Sequence, residues 1–389
     1  MAPKQEVAAL KEELISLRRD FHMHPELGFG EHRTAEKVTA YLEEYDLGIK
    51  HIAKTGVVGV LRGNKPGNTL LLRADLDALP ITEQTDVPYK SVNNGIMHAC
   101  GHDGHIAMLL VAARILSTYK DILPGNIKFV FQPNEEDAGA YLMVEEGVMD
   151  NPRVDAAVGA HLWSALETGI IDICEGPVMA ASHYFYLTIK GLGGHAGHTN
   201  EAIDPIMVSA AIIQAVQAMQ TRELDALQPV AIVFTKINAG FNTTIIPEKV
   251  EMQGSIRFLA DDGTAVKEAF ERVIAGICTT YRAKYELRYK VGNNLVANDE
   301  KMVAIAYQAA LGCLGDENFI TAGLRSMGGE DFSEFIRDVP GVFYFIGSGN
   351  REKKTMYSHH HPCFNIDEDA LLIGAEMYVR MALQYFNLE

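Results

Sequence analysis

The chain has 389 residues, 48% hydrophobic and 22% charged, which is globular composition and long enough for two domains. Its formal net charge of -17 weighs against nucleic acid or an anionic membrane surface as a main partner, but leaves small anionic substrates open, because a local cation can override the global field. Five scattered cysteines do not resemble a disulfide framework, Lys4 is followed at once by Gln5 and Glu6 rather than by an apolar leader, and no apolar run reaches the ~18 residues of a membrane span, so a reduced, cytoplasmic, soluble protein is expected.

In chain order, Val7, Leu10, Leu14 and Leu17 recur at helical spacing, and Pro25 and Gly28 end that helix. A second helix is expected over about Arg33 to Tyr45. Short apolar runs then end repeatedly in polar residues. Thr69–Leu72 runs into Arg73-Ala74-Asp75-Leu76-Asp77, Ile127–Phe131 into Gln132-Pro133-Asn134-Glu135-Glu136, and Ala156–Ala160 into His161. Gly341–Ile346 precedes a Gly/Ser turn and three histidines. A helix is expected from about His102 to Tyr119, with Ile106, Leu109, Leu110, Ala113 and Leu116 on one face. Apolar strands alternating with helices predict an α/β sheet covered on both faces, with chemistry at the carboxyl ends of the strands. From Tyr184 the order becomes strand, helix (Asp204–Thr221), two strands (Val230–Ile237, Glu248–Phe258), helix (Thr264–Tyr281), strand (Tyr285–Val291). That β-α-β-β-α-β, ferredoxin-like unit predicts an inserted domain over 184–292, with a discontinuous larger domain over 1–183 and 293–389.

The densest chemistry is Met97-His98-Ala99-Cys100-Gly101-His102-Asp103-Gly104-His105. Cys100 and His102 lie at a helix start, whose dipole favours thiolate; alone they read equally as metal ligands or as a buried thiol with a capping imidazole. Glu135-Glu136 could be a solvated acidic loop, or one metal ligand beside one general base. His161 alone reads as a core histidine. His359-His360-His361 is too well embedded to be a tag. Taken together, a thiolate, several imidazoles and a carboxylate suit Zn, Mn, Co or Ni rather than Mg or Ca, and five ligands exceed a closed structural zinc site. Asp75, Asp77 and Asp103 are candidates to orient ligating imidazoles. Arg257 is a surface Arg or a guanidinium fork for a substrate carboxylate. Gly328-Gly329-Glu330-Asp331 reads as a turn in which Asp331 caps toward Glu334. Trp163, the single tryptophan, reads as wall packing or as the lining of an acyl pocket.

The loop from Met97 to His105 resembles the signature of the aminoacylase/hippurate-hydrolase branch of the co-catalytic metallopeptidases. The resemblance extends to Arg19-Asp20-Phe21-His22, His24-Pro25-Glu26, Arg73–Pro80, Phe131-Gln132-Pro133, His161-Leu162-Trp163, Gly193-Gly194-His195-Ala196, Gly254-Ser255-Ile256-Arg257, Met327–Phe332 and His360-His361-Pro362. It implies a mixed-sheet α/β catalytic domain and an inserted lid and dimerisation domain. It also implies two divalent metal ions held by Cys100, His102, Glu136, His161 and His360, with His359 and His361 as alternatives to His360. Glu135 becomes the general base, Asp77 and Asp103 support ligands, and His195, Arg257 and Asn242 meet substrate. The expected reaction is hydrolysis of an N-acyl amino acid by a metal-activated water. A dipeptidase or carboxypeptidase is the nearest alternative, and a hydrolase with Cys100 as nucleophile or a non-catalytic binding protein are the more distant ones. Two departures fall on the substrate side. Gly197-His198-Thr199-Asn200 follows Gly-Gly-His-Ala where the family runs toward Pro-His, and Thr244-Ile245-Ile246-Pro247, with Asn242 nearby, replaces Asn-Val-Ile-Pro.

Overall fold

A computed structural model describes residues 2–259 and 263–389. The chain forms two compact units: one takes in the residues up to Val178 with Val296–Arg325 and Glu330–Glu389, the other Met179–Leu295 with Ser326–Gly329. The smaller unit is thus wider than the 184–292 read from the sequence. Ala180 donates its N–H to the carbonyls of Ser326 and Gly328, and Arg257 Nη1 donates to Met327 O at 2.9 Å, which ties a distant tetrapeptide to the unit.

The larger unit is built on an eight-stranded mixed sheet in the order Gly48–Ile52, Gly56–Arg62, Pro124–Gln132, Lys65–Asp75, Ala156–Glu167, Gly341–Gly349, Ile171–Asp172, Ile320–Thr321. Its centre is parallel: Lys65–Asp75 pairs in parallel with Pro124–Gln132 and with Ala156–Glu167, and Gly341–Gly349 runs parallel to the latter. The first two strands form an antiparallel hairpin at one edge that the apolar-run pattern did not announce. Register positions the chemistry. Leu72 faces Val158, Asp75 faces Gln132 and His161 faces Phe345, so three residues past the Leu72–Val158 pair the chain delivers Asp75 and His161 to the same end of neighbouring strands.

The helix His102–Ser117 was expected to be one-faced, yet all its residues except Arg114 and Ser117 are buried. It packs on the sheet, and the helices Lys11–Met23 and Asp369–Tyr385 cover its outer side. Such a sandwiched helix is apolar all round. The N-terminal helix also differs from expectation: it is broken at Leu10 into Pro3–Ala9 and Lys11–Met23.

The smaller unit has a four-stranded antiparallel sheet ordered Val230–Ala239, Lys249–Phe258, Ala181–Lys190, Lys284–Val291, with the helices Pro205–Arg222 and Thr264–Thr280. Alternate strand residues, among them Phe185, Leu187, Ile189, Val250, Met252 and Ile256, pack on Val208, Ile212, Val216, Phe270 and Ile274 of the helices. This is the period-two burial of a sheet with one covered face.

Candidate metal centre

Gly101 opens the His102 helix at φ +96°, a conformation available to glycine at little cost. The turn leaves the buried side chains of Cys100 and His102 pointing at the end of the central strands. Cys100 Sγ lies 3.5 Å from His161 Nε2, and Cys100, His102 and His161 form one group whose donor atoms could hold an ion. A second group, Cys100, Glu136 and His360, shares the same sulfur, and a third joins His102 to Glu135 and Glu136. The five residues expected to bind metal therefore converge, and Cys100 is common to two of the groups.

The three consecutive histidines are separated by their contacts. His359 Nε2 donates to Leu162 O at 3.0 Å and its ring packs 4.6 Å from Trp163. His361 Nδ1 accepts the Cys363 N–H and its ring stacks on Tyr357. His360 Nε2 approaches Glu136 Oε1 at 3.2 Å, without the alignment of a hydrogen bond.

His102 Nδ1 lies 2.8 Å from the carbonyl of Asp77, which accepts its proton, and 3.3 Å from the Asp77 carboxylate. Asp77 Oδ2 also accepts the N–H of Glu136. With Nδ1 occupied, His102 Nε2 is the atom presented to the site, and it is buried without a hydrogen-bond partner. Burial opposes protonation of His102, but Asp75, Asp77 and Glu136 outweigh it and push the imidazole up to about 10. Asp103 differs from expectation. It binds Arg18 Nε at 2.8 Å and His22 Nδ1 at 2.7 Å, so it anchors the start of the helix and orients no candidate ligand.

Glu135 and Glu136 follow Asn134, which is held at φ +54° while its N–H donates to buried Glu31. Their environments differ. Burial, with Glu330, Asp331 and Glu136 nearby, pushes Glu135 well above the usual carboxylate range. Burial also acts on Glu136, but His360, His102 and Cys100 outweigh it and lower its pKa. Cys100 departs from the thiolate expected of a helix start: burial and the carboxylates of Glu136, Glu135 and Asp75 push the thiol up, so it needs a cation beside it to ionise.

Several residues that build the site carried no motif-level role. Arg73 is fully buried and donates to Gln132, Asp75, Glu330 and Asp331. The turn at Gly328–Asp331 is capped by Glu330, whose carboxylate accepts the Phe332 N–H; Asp331, expected as the cap, instead accepts from Gln132 and Ala140. An Arg directly after the apolar run Thr69–Leu72, where an unpaired charge would be costly to bury, was the available signal for this network.

In the smaller unit, His195 pairs with Ile245, and Asn242 Oδ1 accepts the N–H and hydroxyl of Thr244. His195 Nδ1 accepts the Gly197 N–H, so Nε2 carries the proton and is presented as a donor. A cavity of about 1210 Å³ gathers His195, Leu192, Phe241, Thr244 and Ile245. Arg257 is half-buried, with one nitrogen committed to Met327 O.

A profile of the family described as Peptidase family M20/M25/M40 matches residues 71–384. The chain is 37% identical over 396 residues to "Thermostable carboxypeptidase 2" of Saccharolobus solfataricus, covering 99% of this chain and 98% of that protein. It is 38% identical over 374 residues to "N-acetylcysteine deacetylase" of Bacillus subtilis, covering 95% and 96%. Its structure resembles that of a Bacillus subtilis protein described as a dinuclear metal binding peptidase from the M20 family, with a TM-score of 0.86, 35% identity and coverage of 98% and 99%.

Proposed function

The chain belongs to peptidase family M20/M25/M40, and from that premise we propose that it is a hydrolase of N-acyl amino acids that holds two divalent ions on Cys100, His102, Glu136, His161 and His360. The carrying observation is the shared sulfur: Cys100 completes one donor group with His102 and His161 and another with Glu136 and His360. The donor set fits transition ions. His102 Nε2 and Glu136 Oε1 are buried without hydrogen-bond partners, a cost that coordination would offset, and the mix of thiol, imidazole and carboxylate suits Mn, Zn, Co or Ni. Bound there, the ions would supply Lewis acidity and lower the pKa of a water beside Glu135.

Glu135 is the residue we assign to proton transfer. It is buried next to the donor groups without being needed to complete either Cys100-centred one, which leaves its carboxylate available to exchange a proton. It takes a proton from the attacking water and delivers it to the leaving nitrogen. His195, with Nε2–H as donor, is assigned to the carbonyl oxygen of the scissile amide. Arg257 and Asn242 are assigned to the amino-acid end of the substrate.

Hydrolysis of N-acetyl, N-benzoyl and longer N-acyl amino acids, beside dipeptides and C-terminally free peptides, on enzyme of measured metal content, tests this reading. It requires the N-acyl amino acids to have the higher kcat/KM. Preference for peptides would move the chain to the carboxypeptidase reading, which the relative from Saccharolobus solfataricus favours.

We also infer a homodimer formed through the smaller unit. Val230–Ala239 is an edge strand with one pairing side open, and the helix Pro205–Arg222 beside it has no charged residue before Arg222 and exposes Ile206 and Met207. Light scattering at micromolar concentration should give twice the 42.8 kDa chain mass. No helix among the described residues is long and apolar enough to cross a membrane, and all five cysteines are free, which supports a reducing, cytoplasmic setting.

A further inference from the structure

His105 ends the loop motif, and its ring lies with Asp75 and His102 in a group whose donor atoms could hold an ion. Its hydrogen bonds remove it from that role. The Leu162 N–H can only donate, and it reaches His105 Nε2 at 2.9 Å, so Nδ1 carries the proton and donates to Asp75 Oδ1 at 2.6 Å. The chain of contacts continues inward. Asp75 Oδ2 accepts from Arg73 Nη1 at 2.7 Å, and Arg73 Nε donates to Gln132 Oε1 at 2.7 Å. Gln132 Nε2 donates to both oxygens of Asp331 at 2.7 and 2.8 Å, and Asp331 Oδ2 accepts the Ala140 N–H at 2.8 Å.

The two ends of this chain are the two halves of the metal centre. Leu162 follows His161, and Ala140 begins the helix that closes the Glu135–Glu136 turn. Each side chain in between is buried to within a few per cent. A buried ionic network that loses one member leaves its neighbours unpaired, so it tends to hold or fail as a unit. We propose that His105, Asp75, Arg73, Gln132 and Asp331 form a positioning relay that fixes the His161 strand end and the Glu135–Glu136 turn relative to one another. A change at the Asp331 end therefore alters the ligands at the His161 end. The proposal rests on the dinuclear reading above and adds residues outside its five assigned ligands.

The test is titration of metal-stripped protein with Co²⁺, followed by the visible and thiolate-to-cobalt absorption bands and by the emission of Trp163, whose ring lies 5.6 Å from that of His161. The proteins are wild type, His105→Asn, Asp331→Asn and the double variant. His105→Asn can still donate to Asp75 but is too short to place an acceptor where Nε2 meets the Leu162 N–H, and Asp331→Asn keeps one oxygen only. Each single variant is expected to weaken Co²⁺ binding about 10–100-fold and to change the cobalt spectrum. The double variant should be no weaker than the poorer single, because both cut the same chain. Asp331→Asn with wild-type affinity and spectrum overturns the relay, as do losses that multiply in the double. A purely structural role would lower the melting temperature of the metal-free protein and leave the spectrum unchanged. Should Asp331→Asn not fold, Gln132→Met cuts the same link at similar volume and is read in the same way. Wild type that takes up no Co²⁺ overturns the dinuclear reading and the relay with it.

Discussion

The backbone N–H of His360 donates to the carbonyl of Ala99 at 2.8 Å, fastening the C-terminal histidine loop to the loop that carries Cys100. His360 sits at φ +64°, a left-handed conformation uncommon for a non-glycine residue, and this places its side chain on Glu136 while His359 and His361 are held by other contacts. His360→Ala should therefore lose about one metal equivalent per chain, while His361→Ala keeps both. Metal analysis of the purified variants decides between them; equal loss from both would undo the assignment.

Glu135→Gln should retain wild-type metal content and lower kcat about 10²–10⁴-fold, because the amide keeps the shape of the side chain but cannot take up the proton. Turnover within a few-fold of wild type would remove Glu135 from proton transfer.

Chelation separates the metal reading from a hydrolase with Cys100 as nucleophile. EDTA should abolish activity, and Mn²⁺ or Zn²⁺ should restore it. Iodoacetamide should act slowly on loaded enzyme, since Cys100 is 8% exposed. Rapid inactivation by the alkylator with indifference to EDTA would favour the nucleophile.

His22 sits between two buried carboxylates, with Nδ1 2.7 Å from Asp103 and Nε2 3.2 Å from Glu83. Burial and Arg18 oppose its protonation, but the two carboxylates outweigh them and the pKa is raised. A raised imidazole contributes stability that is complete below the free value of about 6.5 and is lost as pH rises through the folded value. Melting temperature should therefore fall as pH rises above ~6.5 more steeply in wild type than in His22→Gln. Parallel curves for the two proteins would show that His22 does not carry the effect.

Gly159 lies on the strand that leads to His161, and a Cβ there would meet ring atoms of Phe343 at 2.7 Å and of Phe332 at 2.9 Å. Both rings are fully buried, so Gly159→Ala should destabilise the protein by about 1–3 kcal/mol, read by denaturant unfolding of the metal-free protein. An unchanged midpoint would mean that the rings can move aside.

Much of this was legible in the sequence. Runs such as Ile127–Phe131 and Ala156–Ala160, each ending in polar residues, announce buried strands, because apolar periodicity is a local property of the chain. The α/β class follows from such runs, while the mixed sheet and the grouping of Cys100, His102, Glu136 and His161 followed from the family resemblance of the motifs at their ends. The edge hairpin Gly48–Arg62 was missed: Gly56–Leu61 is an apolar run, but it ends in no polar motif and its partner Gly48–Ile52 is largely exposed. The all-round burial of the His102 helix was missed too, because it depends on two helices distant in sequence.

What the tertiary structure alone decided is which atoms meet. The family resemblance singles out His360 among three adjacent histidines, and backbone conformation and long-range contacts bring it beside Glu136 while His359 packs on Trp163. Asp103 and His105 look like metal-site residues by spacing, yet Arg18, His22, Asp75 and Leu162 engage them first. The sequence by itself determined the kinds of donor side chain available and the strand ends that carry them. What hydrogen-bond geometry between residues up to hundreds of positions apart added is which neighbours hold each side chain, which local pattern does not encode.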